Sequence, residues 1–219
     1  MTENNEEKNL IKGYVMMLYF AGTMVMFDPS RECIYDFWTK GILKQLPVKS
    51  SNSDFIKAAG LLRDSADKTD GKYENMRNDY MHLFSGAGVE QPAAPPFASV
   101  YLDPEKLIAG QNTLDIRNIY KKYNWEPKAG KTIPDDHLGN EILFLTYLLE
   151  LYIKNKDKEL HAKLSSEIHE YIERHLLTWI PQWSNDVQKH ATTLGYKGIA
   201  MLVLASLSDI NNIVSKGTL

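Results

Sequence analysis

Apolar residues recur three and four positions apart through most of the chain, and sustained alternation of apolar with polar positions is almost absent, so the pattern predicts helices and no sheet. The first helix is expected from about Asn5 to Phe27, stopped by Asp28-Pro29, which also opens the second. Asp28 can accept hydrogen bonds from free amides, and Pro29 can take the first helical position, where its missing N–H costs nothing. The second helix should stop near Pro47. After a polar linker from Lys49 to Asp54, FIKAAGLLRDSA and KYENMRNDYMHLF read as two further helices.

The character changes after Phe84. SGAGVEQPAAPPFASVYLDPE carries four prolines before Glu105, which excludes regular helix there. Asp103-Pro104 repeats the cap-then-proline signal and is expected to open a helix running to Tyr123, and NWEPKAGKTIP is a second irregular connection. HLGNEILFLTYLLELYIK is apolar on nearly every face, the mark of a helix buried in the middle of a bundle. Helices at about Lys158 to Leu177, Ile180 to Ala191 and Tyr196 to Val214 complete the prediction: all-α, a single helical bundle of roughly eight to ten helices. The 219 residues suit one domain over 1–219, with the 85–103 and 124–135 linkers as the places for a hinge. No internal repeat at a solenoid period is visible.

Composition narrows the classes of function. Hydrophobic residues at 43% and charged residues at 24% fit a soluble globular protein. The single cysteine, Cys33, excludes an intramolecular disulfide and points to a reducing compartment. With 25 basic against 28 acidic side chains, the net charge of -3 offers no general field for nucleic acid or an anionic membrane. The longest uncharged run, Gly13 to Phe27, is shorter than the roughly 20 residues that span a bilayer, so no stable membrane insertion is expected. MTENNEEKN is acidic where a secretory signal is basic, and no two arginines are adjacent, so the chain carries no twin-arginine export signal of its own and is expected in the cytoplasm.

Most catalytic chemistry finds no support. His161, His169 and His175 stand eight and six residues apart, so no pair matches the i, i+4 spacing of a zinc helix, and no metal is expected. Cys33 has no nearby His or Lys to activate it. Gly130-Lys131-Thr132 imitates the end of a phosphate loop, but Trp125 stands where that loop needs a glycine. Gly86-Ala87-Gly88 lacks the third glycine of a dinucleotide fingerprint, and no serine lies in a nucleophile elbow. The expectation is a protein that is not an enzyme and holds no cofactor.

Two constellations stand out. In the first, Asp79 to Gly86 (DYMHLFSG) runs into Pro95 to Tyr101 (PPFASVY), and Tyr80, Leu83 and Phe84 share one helical stripe. A core helix with its covering loop and a binding surface both fit that pattern. In the second, Pro134-Asp135-Asp136-His137-Leu138 precedes Glu141 and Phe144. Asp136 is placed to cap the buried helix, a role asparagine would fill as well, and Glu141 lies one turn beyond His137.

On these motifs the chain resembles the TorD/DmsD family, the cytoplasmic chaperones dedicated to molybdoenzymes, also called redox enzyme maturation proteins. The family pattern D-Y-x-x-L-F-x-G-P, then P-P-aromatic-x-S-V-Y, then P-x-D-H followed by E and F, stands here as Asp79 to Gly86, Pro95 to Tyr101 and Pro134 to Phe144. The likeness continues through Ala109 to Leu114 and His175 to Trp179 to Tyr196, whereas the N-terminal helices agree only in length and helical character. Ala87 replaces the usual proline, Phe97 stands where tryptophan is frequent, and Ala98 lacks a carboxylate that many members carry.

The resemblance implies an all-helical chaperone that binds the twin-arginine signal peptide, or another segment, of an apo-molybdoenzyme and holds it for cofactor insertion before export. Residues matching family positions tied to peptide binding are Tyr80, Leu83, Phe84, Pro96, Phe97, Tyr101, Gly110, Asp136 and His137; Glu141 joins them as a second carboxylate. An arginine pair beside an apolar stretch calls for carboxylates next to an aromatic groove. Asp136 and Glu141 would supply the first, Tyr80 and Phe97 the second. The implied partner is the catalytic-subunit precursor, with the chaperone a monomer or a domain-swapped dimer. The rival reading is a GTP-binding helical switch or nucleotide-dependent enzyme on the same bundle, against which the missing phosphate loop argues.

Overall fold

The computed structural model describes residues 2–67, 71–85, 91–105, 108, 110–127 and 132–216. Gly86, Ala87, Gly88, Ala109, Gly130 and Lys131, each part of a motif read from the sequence, lie outside the described residues. Among those described there are ten α-helices and no strand: α1 Thr2–Met26, α2 Arg31–Ile34, α3 Ser53–Asp67, α4 Tyr73–Tyr80, α5 Ala98–Leu102, α6 Gln111–Lys122, α7 Leu138–Lys154, α8 Lys158–Tyr171, α9 Ile180–His190 and α10 Leu194–Lys216. Three helices end in a five-residue π turn, Tyr35–Thr39 after α2, Met81–Ser85 after α4 and Ile172–Leu176 after α8. Such wider turns shift the register of the side chains that follow.

The fold is built on α7, whose apolar faces put Ile142, Phe144, Leu145, Leu148, Leu149 and Tyr152 in the interior. α1 packs along α7, and α3 packs along α10. α10 is long and apolar enough to cross a membrane by length and composition. Here Leu202, Val203, Leu207, Ile210 and Val214 are buried where it packs against α1, α3, α8 and α9. α1 and α7 approach so closely that a Cβ on Gly139 would stand 2.9 Å from Met26 Cβ and 3.0 Å from the Gly22 carbonyl oxygen.

The helix caps differ from the sequence expectation in four places. Ser30, not Asp28, caps α2, accepting from the Cys33 N–H at 3.0 Å, which leaves Pro29 outside the helix. Asp28 turns instead to Arg77, Oδ2 to Nε at 3.0 Å. The helix expected to reach Pro47 ends its π turn at Thr39, because Gly41 has φ of 78°, a left-handed conformation that glycine adopts without strain, and only a short 3₁₀ turn, Ile42–Lys44, follows. Ala98–Leu102 is helical within a stretch expected to exclude helix, and Asp103 closes that helix rather than opening the next, which starts from Gly110. α7 is capped by His137, not by Asp136: its Nδ1 accepts from the Gly139 N–H at 3.0 Å.

Candidate functional site

Asp136 is fully enclosed and joins three segments that are distant in sequence. The Ser99 N–H donates to its Oδ2 at 3.0 Å, and the Thr113 hydroxyl donates to its Oδ1 at 2.8 Å. Its backbone carbonyl accepts from the Ala98 N–H at 3.1 Å. The carboxylate therefore sits at the N-termini of α5 and α6, where free N–H groups and the positive end of the helix dipole favour negative charge. A bridge between Phe97 and His137 and a 2.8 Å bond from the Leu138 N–H to the Pro96 carbonyl fasten the proline loop to the start of α7.

The residues predicted for a binding site fall into two environments. Asp136, His137, Glu141, Leu83 and Pro96 are buried, as are Tyr80 and Phe84. Phe97, Tyr101 and Gly110 are half-buried and keep a face to solvent. Phe97 meets the His137 ring edge-on at 5.0 Å, and Tyr101 stacks on Trp179 at 5.6 Å. Tyr80, the last residue of α4, and Phe84, within the π turn that follows, meet edge-on at 5.8 Å, and Phe84 packs further on Tyr196 and Trp183. The Tyr80 hydroxyl donates to the Met26 carbonyl at 3.2 Å. Trp183 touches Phe84 and Trp179 touches Tyr101, so α9 and its cap join the two segments of the first motif.

Burial sets the protonation states. His137 is pushed down to about 4 by desolvation, against the opposing pull of Asp136, so the ring is neutral. An Nδ1 that accepts a hydrogen bond leaves the proton on Nε2. Glu141 is raised well above the usual carboxylate range by burial first and the Asp136 charge second, which favours its protonated form. Neither Glu141 carboxyl oxygen has a hydrogen bond of ordinary geometry among the described residues. The Tyr171 hydroxyl, 3.4 Å from the Glu141 carbonyl, lies beside it and moderates the shift.

Sequence reading missed the partners that make these acids structural. Asp79, in the first motif, accepts from the Thr192 and Thr193 N–H groups at 3.0 and 2.9 Å and from the Thr193 hydroxyl at 2.6 Å. Thr193 in turn accepts from the Tyr196 N–H at the start of α10. Ser99 and Thr113 carried no signal of their own, because a short polar residue at the start of a helix looks the same whether or not a distant carboxylate faces it.

Outside this cluster, a cavity of about 460 Å³ is lined by Tyr120, Trp125 and Pro134 with Arg117 and Asp135, which pair across its rim at 2.5 Å. Tyr120 donates to the Asp135 carbonyl at 3.0 Å and so ties this cavity to the segment that carries Asp136.

The model of the nitrate reductase delta subunit family matches residues 50–185. Among curated proteins, this chain is 28% identical over 139 residues to a Tat proofreading chaperone of the DmsD type from Haemophilus influenzae, with 64% of this chain and 62% of the relative covered. It is 27% identical over 133 residues to the chaperone protein TorD of Aliivibrio salmonicida, with 61% and 60% covered. The matched stretch thus spans about three fifths of each relative's length. Among solved structures, a redox enzyme maturation protein from Archaeoglobus fulgidus aligns with 87% of this chain and 92% of its own at 15% identity and a TM-score of 0.48.

Proposed function

This chain belongs to the nitrate reductase delta subunit family, and from that premise we propose that it is a cytoplasmic chaperone, not an enzyme, for the catalytic-subunit precursor of a molybdoenzyme. It binds the precursor's twin-arginine signal peptide, or another segment, and holds the apoprotein until its cofactor is inserted. The observation that carries this reading is the meeting of the motif segments around the Asp136 carboxylate, with Phe97, Tyr101 and Gly110 left partly open to solvent. Phe97, Tyr101 and Gly110 touch the peptide. Tyr80, Leu83, Phe84, Pro96, Asp136, His137 and Glu141 hold that surface in shape from within, which accounts for motif residues that are buried and hydrogen-bonded.

The test is calorimetric titration of the full chain with a synthetic twin-arginine signal peptide. The parent should bind, and the double variant Phe97→Ala/Tyr101→Ala should bind about tenfold more weakly, as loss of two aromatic contacts would give. Its far-UV circular dichroism should stay helical. A parent that does not bind the peptide overturns the reading.

A further inference from the structure

α1 has two apolar faces. Ile11, Leu18 and Ala21 face the core, yet Met16 is 64% and Tyr19 49% exposed on a side that a surface helix ordinarily fills with polar residues. Along that side, α1, the Tyr35–Thr39 turn and α7 enclose a groove of about 450 Å³ with Met16, Phe20, Met24 and Phe37 on its walls. Glu150 is the one charged side chain among the described residues that line it. Cys33, which also lines it, is held neutral as burial pushes its thiol up.

At Glu150 the groove opens into a smaller hollow of about 180 Å³, sharing Tyr19, Thr146 and Glu150 and adding Trp125 and Tyr147. One carboxylate among three aromatic rings, beside an apolar trough, is complementary to a guanidinium beside an apolar run. The carboxylate takes the planar fork, and the rings stack on its face. Glu150 now pairs with Lys154 at 2.9 Å, an exposed i, i+4 pair of the kind that contributes little and is readily exchanged. The lengths agree as well. From Val15 to Met24 α1 rises about 14 Å, and the apolar run of a signal peptide, roughly 7 to 15 residues, would span about 10 to 22 Å as a helix. Methionines in the wall adapt to differing apolar sequences.

Resting on the reading that the ligand is an arginine-bearing segment of a precursor, the geometry points to this groove as the seat of that segment's apolar run, with Glu150 holding the adjacent arginine. Asp136 is spent inside the fold, and Glu150 is a carboxylate that a ligand can reach.

Titration of the full chain with a synthetic peptide, an arginine pair followed by about twelve alternating leucines and alanines, and with its lysine counterpart, tests this assignment. Glu150→Gln should weaken the arginine peptide about tenfold and narrow its advantage over the lysine peptide. Met16→Asp, at an exposed position, should weaken both peptides about tenfold. A parent that binds while both variants keep parental affinity would overturn the groove and leave the chaperone reading standing. A parent that binds neither peptide would overturn both. A dimer that Met16→Asp dissolves, seen by sedimentation, would make the face a contact between copies and would also overturn the assignment.

Discussion

Asp79 and Asp136 act alike: each is buried, and each accepts hydrogen bonds from the start of a helix far away in sequence. Burying a carboxylate is tolerable when several donors surround it, and that condition distinguishes Asp136 from its neighbour Glu141, whose oxygens have no hydrogen bond of ordinary geometry among the described residues. The consequence is a pH dependence with two opposing parts. Glu141 stays protonated in the fold but ionises near 4.5 in the unfolded chain, so its contribution is present below that value and is lost as pH rises through the folded one. His137 stays neutral down to about 4 in the fold but takes up a proton near 6.5 when unfolded, so its contribution is lost as pH falls across that window. As pH rises above 4.5 the Glu141 part is being lost while, up to 6.5, the His137 part is being gained, so the two oppose each other. Glu141→Gln, a neutral side chain of the same shape, should therefore stabilise the protein against urea more at pH 8 than at pH 5, with a slope of at most about 1.4 kcal/mol per pH unit. An equal effect at the two pH values would mean that Glu141 ionises freely in the fold.

At the scale of elements, helix type and order were legible in the sequence because apolar spacing reports the buried face directly. FIKAAGLLRDSA lies within α3, and the segment after His137 is α7. Helix ends were less legible. Asp28 and Asp136 both stand where a capping residue belongs, but each was claimed by a tertiary partner, Arg77 in one case and Ser99 with Thr113 in the other, and the next suitable acceptor took the cap. A periodic pattern also cannot show the π turns, since one extra residue per turn changes the register without changing the composition. The crossing of α1 and α7 depends on another feature with no periodic signal, the missing side chain of Gly139. Gly139→Ala gains up to about 1 kcal/mol of helix propensity. The new methyl, however, would press on Met26 Cβ and the Gly22 carbonyl, neither of which is the end of a flexible side chain. The expected outcome is a net loss of about 1 to 3 kcal/mol in chemical denaturation, the range for overpacking. A variant as stable as the parent would show that the two helices can separate at little cost.

At the scale of the whole molecule, the candidate site was legible as a set of motifs but not as a surface. Tyr80 and Phe84 read equally well as core or as groove, and only the packing of Phe84 on Trp183 and Tyr196 decides for core. The same packing bears on the two linkers named as places for a hinge. Ala94 and Ala98 from the first belong to the main hydrophobic cluster, and Trp125 from the second packs against it, alongside Tyr14 and Leu18 of α1 and Ile199 and Val203 of α10. A hinge that worked as a domain boundary would divide that cluster. A single cluster spanning both linkers should instead unfold as one unit. Trp38 reports on the N-terminal part and Trp179 with Trp183 on the C-terminal part, all three fully buried. Tryptophan fluorescence and far-UV circular dichroism should therefore give coincident urea transitions, and replacing Trp38 with phenylalanine should leave the fluorescence midpoint aligned with the dichroism midpoint of the same variant. Two separated transitions, the earlier one silent in a variant that lacks Trp38, would mean that the N-terminal helices form a unit of their own and that one of the linkers is a true boundary.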